Sequence, residues 1–137
     1  RFLKEVTKSL ADKTNTVAIV TTDEGELYSS GYANILEMPE FYDIDVTKAL
    51  LEALEGYDLL RNICASVPQT EGIHVLIEDE LGSRLVGPYG FIFTNFTTPL
   101  RICGKVGVLG PTRLRYASII PTVRYFGDLI GASASGW

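Results

Sequence analysis

The sequence has little of the chemistry that enzymes and metal sites commonly use. Its 137 residues include one histidine, His74, and two cysteines, Cys64 and Cys103. Their spacing matches neither a metal-ligand pattern nor a nucleophile with an adjacent base. A histidine between apolar strand residues is more often structural than catalytic, and free cysteines are usually buried as small hydrophobic side chains. We therefore predict no catalytic residue, no metal site and no cofactor, two buried thiols, and a reducing compartment, the cytoplasm.

Positive charge is also scarce. Lys and Arg number 12 against 17 Asp and Glu, so the formal net charge is −5 and the sequence pI is about 4.8. A protein that binds duplex DNA needs a basic face to displace counterions from the phosphates. The chain alone is therefore not expected to read DNA. Any DNA contact of the whole protein is expected to come from a part outside this sequence.

Long apolar runs are missing as well, because none approaches the roughly 20 residues that a membrane-spanning helix needs. The length suits one domain with its own hydrophobic core. We therefore expect a single domain over residues 1–137, without membrane contact. Since the sequence starts with Arg1 rather than methionine, we also expect the chain to be a piece of a longer protein.

The most informative stretch is near the carboxyl end. Apolar and other residues alternate over Leu100–Leu109, which predicts a half-buried strand inside a sheet. Gly110 and Pro111 are expected to end this strand, since proline has no N–H for the ladder. The Thr112 hydroxyl is expected to cap a helix. Over Leu114–Ile130 the apolar residues recur every three or four positions, so the chain should form a helix that packs back on the sheet.

Periodicity elsewhere predicts the remaining elements. Helices are predicted over 1–14 and 45–67, a helical turn over 33–37, and strands over 17–21, 27–29, 73–77 and 91–96. Gly25 is expected to turn the first two strands into a hairpin, because glycine readily takes a positive φ. The short connections favour antiparallel pairing. The predicted fold is an α/β protein of the α+β kind, with a central antiparallel sheet of about five strands flanked by helices.

The glycines before Pro111 invite comparison with a nucleotide-binding loop. Their spacing fits neither G-x-G-x-x-G nor a P-loop, and close backbone approach or a bulge explains Gly104 and Gly107 better. Thr112 and Arg113, at a predicted helix N-terminus, leave two interpretations open. We favour an ordinary helix cap over an anion contact.

Aromatic residues are concentrated in the predicted strands and in the segment 31–41. We expect most of them in the core, and the alternative is that some line a pocket between the sheet and this segment. The residues concerned are Tyr28, Tyr32, Phe41, Tyr42, Tyr89, Phe91, Phe93 and Phe96. No constellation of polar residues identifies a ligand for such a pocket.

Three stretches resemble one protein family. Residues 2–21 read FLKEVTKSLADKTNTVAIVT, residues 31–41 read GYANILEMPEF, and residues 104–113 read GKVGVLGPTR, followed by Tyr116 and Ala117. In this order they resemble the carboxy-terminal regulatory region of the bacterial heat-inducible transcription repressor HrcA. The resemblance implies a GAF-like fold, in which helices flank an antiparallel sheet.

The resemblance also implies a function, that of a regulatory and dimerisation domain in a repressor of chaperone genes. In such a repressor, a separate amino-terminal winged-helix domain binds operator DNA with an inverted repeat, and a GroEL-type chaperonin helps to keep the protein active. A homodimer is implied, although the family has a longer insert than residues 22–30, and that insert takes part in dimer contacts. The alternative is a GAF-type domain that senses a small molecule in an aromatic-lined cavity.

Certain positions of this sequence match the family's motifs. We expect them to have mainly architectural roles in turns, in a helix cap and in helix docking. They are Asn34, Pro39, Phe41, Gly107, Gly110, Pro111, Thr112, Arg113 and Tyr116.

Overall fold

The computed structural model describes residues 2–37, 43–45, 48, 52, 72–77, 89–111 and 114–133. Within these ranges the elements follow the predicted order, and the helix predicted over 45–67 lies largely outside them. The elements are α1 (Phe2–Thr14), β1 (Val17–Thr22), β2 (Leu27–Ser30), α2 (Tyr32–Leu36), β3 (Ile73–Ile77), β4 (Tyr89–Thr97), β5 (Cys103–Pro111) and α3 (Tyr116–Gly131). None of these helices is long and apolar enough to cross a membrane.

The five strands form one antiparallel sheet in the order β2-β1-β5-β4-β3. Strand β5 is central, because Val108 pairs with Ala18 of β1 on one side and with Ile92 of β4 on the other. β1 and β2 form the expected hairpin, in which Gly25 has a φ of 88°. The predicted fold class is thereby confirmed, and the fold is GAF-like.

Helices α1 and α3 pack on the same face of the sheet. In both helices, apolar residues three or four positions apart form a stripe, which becomes the buried side. The core on this face includes Leu3, Val6, Leu10, Ala18, Val20, Ile92, Phe96, Val106, Val108, Ile119, Val123, Phe126 and Ile130. The helical prediction for the carboxyl end is therefore confirmed, including its docking on the sheet.

The opposite face of the sheet is buried as well. Phe93 is fully buried and stacks between Phe91 and His74, with ring centroids 5.0 Å apart in each pair. Lys105 also lies on this face and is only 7% exposed. The half-buried strand predicted at Leu100–Leu109 is therefore wrong in this respect, because β5 is covered on both faces from Lys105 to Pro111.

The limits of β5 differ from the prediction. The strand begins at Cys103, after a turn in which Arg101 has a φ of 64°. At this end of the strand Cys103 is exposed, so its predicted burial is wrong. At the other end Pro111 still pairs with Tyr89. Proline is tolerated there because β1 pairs with β5 only as far as Leu109, so that an N–H is not required on that side.

The last helix also begins later than predicted. Its first residue is Tyr116, and Arg115 occupies the N-cap position without a capping hydrogen bond from its side chain. The prediction that Thr112 caps this helix is therefore wrong. Before the helix, the Leu114 N–H donates to the Pro111 carbonyl at 3.2 Å.

Candidate functional site

Two motif positions from distant parts of the sequence, Asn34 and Pro111, meet at one end of the helical layer. Here the end of α1, the start of α2, the end of β5 and the start of α3 surround a cleft of about 560 Å³. Its described lining consists of Lys13, Thr14, Asn15, Thr16, Asn34, Glu37, Pro111, Leu114, Arg115, Ser118, Ile119 and Thr122. We call this region the joint cleft.

Asn34 ties the amino-terminal half of the chain together at this cleft. Its side-chain amide donates to the Ala11 carbonyl at 3.3 Å and to the Thr16 carbonyl at 3.1 Å. The Thr16 N–H also donates to the Ala11 carbonyl, at 3.4 Å, while Asn15 has a φ of 54°. This is the pattern that closes a helix through a left-handed residue. Asn34 therefore supplements the carboxyl-terminal cap of α1 and fixes the start of β1.

Gly31 makes this arrangement possible. Its φ is 96°, a value that L-residues rarely adopt. A Cβ at this position would overlap the Thr16 carbonyl oxygen and lie 2.8 Å from the Ala11 Cβ. The chain therefore turns tightly against the end of α1, and the Asn34 amide reaches its two acceptors.

Pro111 and Leu114 form the other wall of the joint cleft, and Gly110 lies beneath the Leu114 side chain. Leu114 is 8% exposed and belongs to the helix-side core. A Cβ at Gly110 would lie 2.8 Å from the Leu114 Cδ2, so the leucine side chain packs directly over the glycine. These residues dock the β5–α3 connection on the sheet.

Charges at the joint cleft are few and exposed. Lys13 and Arg115 supply two cations, and Glu37 supplies a carboxylate. The hydroxyls of Thr14, Ser118 and Thr122 donate to carbonyls of their own helices, at 2.7, 3.1 and 2.9 Å. The surface is therefore polar, but much of its hydrogen-bonding capacity is already used within the fold.

The remaining motif positions do not join this cluster. Gly107 lies in the centre of β5 on the opposite face, where a Cβ would be 2.6 Å from the Phe93 Cβ. The close approach proposed for Gly107 is thus confirmed, and the ladder runs past it without interruption. Tyr116 is half-buried in the first turn of α3, and burial raises the pKa of its phenol. Pro39, Phe41, Thr112 and Arg113 lie outside the described residues.

The aromatic residues divide between the two faces of the sheet. Phe91 and Phe93 are buried on one face and Phe96 on the other, so these three belong to the core. Tyr28 and Tyr32 are half-buried. The described lining of the joint cleft contains no aromatic ring, and the aromatic-lined cavity stays a prediction.

Among the described residues, no group of three or more His, Cys, Asp or Glu residues is placed to hold a metal ion. Sequence reasoning missed Gly31, Lys13 and Arg115. The position of Gly31 between a strand and a helical turn was the available signal. The presence of Lys13 and Arg115 on the same cleft depends on how α1 and α3 pack.

Comparisons with known proteins identify one family that this chain resembles. The family model described as "HrcA protein C terminal domain" matches residues 1–120. The heat-inducible transcription repressor HrcA of Desulforudis audaxviator is 36% identical over 103 residues, which are 74% of this chain and 30% of the relative. The corresponding repressor of Thermomicrobium roseum is 32% identical over 105 residues, which are 77% of this chain and 30% of the relative.

A third relative extends the match along the chain. The HrcA repressor of Moorella thermoacetica is 31% identical over 137 aligned residues, covering 93% of this chain and 40% of the relative. A crystal structure of a hypothetical protein at 2.2 Å resolution superposes with a TM-score of 0.61 at 17% identity, covering 77% of this chain and 32% of that one. This last likeness concerns the fold alone.

The chain spans about a third of the length of these curated relatives. The family model nevertheless covers most of the sequence, including the described motif positions Asn34, Gly107, Gly110, Pro111 and Tyr116. The chain therefore belongs to the family of carboxy-terminal domains of the heat-inducible transcription repressor HrcA.

Proposed function

We propose that this chain is the regulatory and subunit-contact domain of a repressor of chaperone genes, and that it has no catalytic activity. A separate winged-helix domain of the longer protein binds the inverted-repeat operator. Residues 1–137 act as a single unit that joins two such proteins. The motif positions, including Pro39, Phe41, Thr112 and Arg113, shape the domain and bind no cofactor.

The observation that carries this division of labour is the distribution of charge. The net charge of −5 opposes the approach of a polyanion. Described cations are interspersed with acids, as on α1, where Lys4, Lys8 and Lys13 alternate with Glu5 and Asp12. Such a surface does not present the continuous basic face that phosphate contacts require.

The joint cleft supports a regulatory role through folding. Asn34 links residues that are 18 and 23 positions away, and its two hydrogen bonds lie in a partly buried site. Each bond of this kind contributes about 1 kcal/mol. A domain that depends on such long-range contacts is expected to need a GroEL-type chaperonin in order to fold. Heat diverts this chaperonin to other unfolded proteins, and repression is then relieved.

DNA binding tests the division of labour directly. Fluorescence anisotropy would compare the 137-residue chain with the longer protein, using a labelled inverted-repeat DNA that the longer protein selects. At physiological salt we expect the chain to show no specific binding, whereas specific complexes usually have dissociation constants of about 10 nM or tighter. Sub-micromolar binding by the chain, reduced by scrambling the repeat, would contradict the proposal.

Chaperonin dependence is tested by refolding. The chain is diluted from urea with and without a GroEL-type chaperonin and its nucleotide, and the folded yield is measured by circular dichroism. We expect a higher folded yield with the chaperonin than without it. The difference between the two yields should grow as the temperature rises. A yield that is complete without chaperonin at every temperature would argue against this part of the proposal.

A small-molecule sensor is the second candidate function, and the 560 Å³ joint cleft favours it. That volume is in the range of small-molecule sites. Thermal unfolding against a metabolite panel tests this function, because a ligand at a hundred times its Kd adds about 2.7 kcal/mol of stability. A hit that persists in the Arg115→Ala variant would place the ligand elsewhere.

A further inference from the structure

The outward face of α3 is unusual in its lack of charge. Its 16 residues include two charged side chains, Arg124 and Asp128. Helix α1 packs on the same face of the sheet and has five charged side chains in 13 residues. A solvent-facing helix surface is normally polar or charged. The outward face of α3 therefore differs from the usual pattern in a way that its packing on the sheet does not explain.

Apolar side chains occupy much of this face. Tyr125 is 60% exposed and Leu129 is 39% exposed. Pro121 and Ala132 are exposed as well, and the four positions follow one another at intervals of three or four residues. They form one continuous stripe along the helix, which we call the α3 stripe. Exposed apolar surface that is continuous in this way commonly marks a protein contact.

The two charges identify the partner. Arg124 and Asp128 are one helical turn apart, and both are exposed along one edge of the α3 stripe. If two copies of α3 pack antiparallel, with the twofold axis crossing their outward faces midway between residues 124 and 128, Arg124 of each copy faces Asp128 of the other. The surface is then complementary to itself, as a contact between identical subunits requires. Tyr125 and Leu129 of the two helices come together near the axis.

We propose that the α3 stripe is a contact surface for a second copy of this chain, in an antiparallel α3–α3 arrangement. This inference deepens the proposed subunit contact and rests on it. A single pair of helices buries less than the roughly 1,600 Å² of a standard interface. The dimer is therefore weak for this chain alone and depends on concentration.

Sedimentation velocity over a series of concentrations tests the contact. Wild-type chain is expected to show reversible dimerisation. Arg124→Asp places carboxylates opposite the Asp128 carboxylates of the other copy, and Asp128→Arg places guanidinium groups opposite those of Arg124. For each variant alone, we expect the dissociation constant of the dimer to rise at least about tenfold, because like charges then face each other. Tyr125→Ala is expected to weaken the dimer similarly.

Mixing the two charge variants makes the test specific. In a heterodimer of Arg124→Asp and Asp128→Arg, both cross-contacts again join opposite charges, so dimerisation should return to near the wild-type level. Lys8→Asp and Asp12→Arg on α1 form the matched control, because both residues are exposed, lie four positions apart and change the net charge by the same amounts. These variants should dimerise like the wild type, alone or mixed.

These measurements test the α3 contact independently of the proposed function. A wild-type chain that stays monomeric at its highest soluble concentration would overturn the α3 proposal. So would a dimer that the charge variants do not weaken, or one that mixing does not restore, although dimerisation through another surface would then survive. All five substituted residues are exposed, so we expect unchanged circular dichroism spectra. Unchanged spectra would show that a loss of dimerisation is not due to unfolding. Operator binding tests the proposed function separately.

Discussion

Removal of the Asn34 side-chain amide tests whether the joint cleft holds the domain together. Asn34→Ala deletes the hydrogen bonds of 3.3 and 3.1 Å to the Ala11 and Thr16 carbonyls. Each contributes about 0.5–1.5 kcal/mol net. The Ala11 carbonyl retains the N–H of Thr16, but that bond is long, at 3.4 Å. We therefore expect Asn34→Ala to lower the free energy of unfolding by about 1–2 kcal/mol.

Asn34→Asp separates the hydrogen bonds from the shape of the side chain. The carboxylate has nearly the same shape as the amide, but it places oxygen atoms against two carbonyl acceptors. We expect this variant to be less stable than Asn34→Ala at pH 7. A protonated carboxyl donates one hydrogen bond, so the folded state holds this proton to a higher pH than the unfolded chain. The deficit should therefore shrink as the pH falls towards 4, because the folded state then binds more protons.

Urea unfolding followed by circular dichroism measures these changes. The slope m should stay constant, since the same surface is exposed on unfolding. Lys8→Ala, an exposed change on α1, serves as the control and should stay within about 0.5 kcal/mol of the wild type. If Asn34→Ala is as stable as this control, or if Asn34→Asp is no worse than Asn34→Ala at pH 7, the role assigned to the amide is wrong.

Two further predictions concern the sheet. Gly107→Ala should cost about 3 kcal/mol, because the new Cβ would overlap the Ile92 carbonyl oxygen. Gly110→Ala should cost about 1 kcal/mol or less, since the nearest atom is the movable end of Leu114; equal costs in urea unfolding would contradict the packing argument. The Tyr28 hydroxyl donates to the Glu26 carboxylate at 2.6 Å, and this hydrogen bond, more than burial, raises the pKa of Tyr28 above 10. The folded state thus holds this proton to higher pH than the unfolded chain. The stability that Tyr28→Phe removes should therefore be present below pH 10 and disappear as the pH rises through the raised pKa. A stability difference between wild type and Tyr28→Phe that does not change with pH across this range would refute the assignment.

The sequence alone determined the type and order of most elements. Alternation and helical periodicity are local properties, and they placed α1, the β1–β2 hairpin and α3 within a few residues of their observed limits. Gly25 likewise specified a turn through its own backbone freedom. These features follow from residues that are close in sequence, and for this reason they can be read without knowledge of the fold.

The tertiary structure decided what each element touches. β5 is buried on both faces from Lys105 to Pro111, whereas its alternating pattern suggested one exposed face. Cys103 is exposed at the beginning of that strand, and Arg115 rather than Thr112 stands at the N-cap. Asn34 meets the end of α1 only after the chain has folded. Burial and long-range hydrogen bonds depend on partners that are distant in sequence, and local periodicity has no information about them.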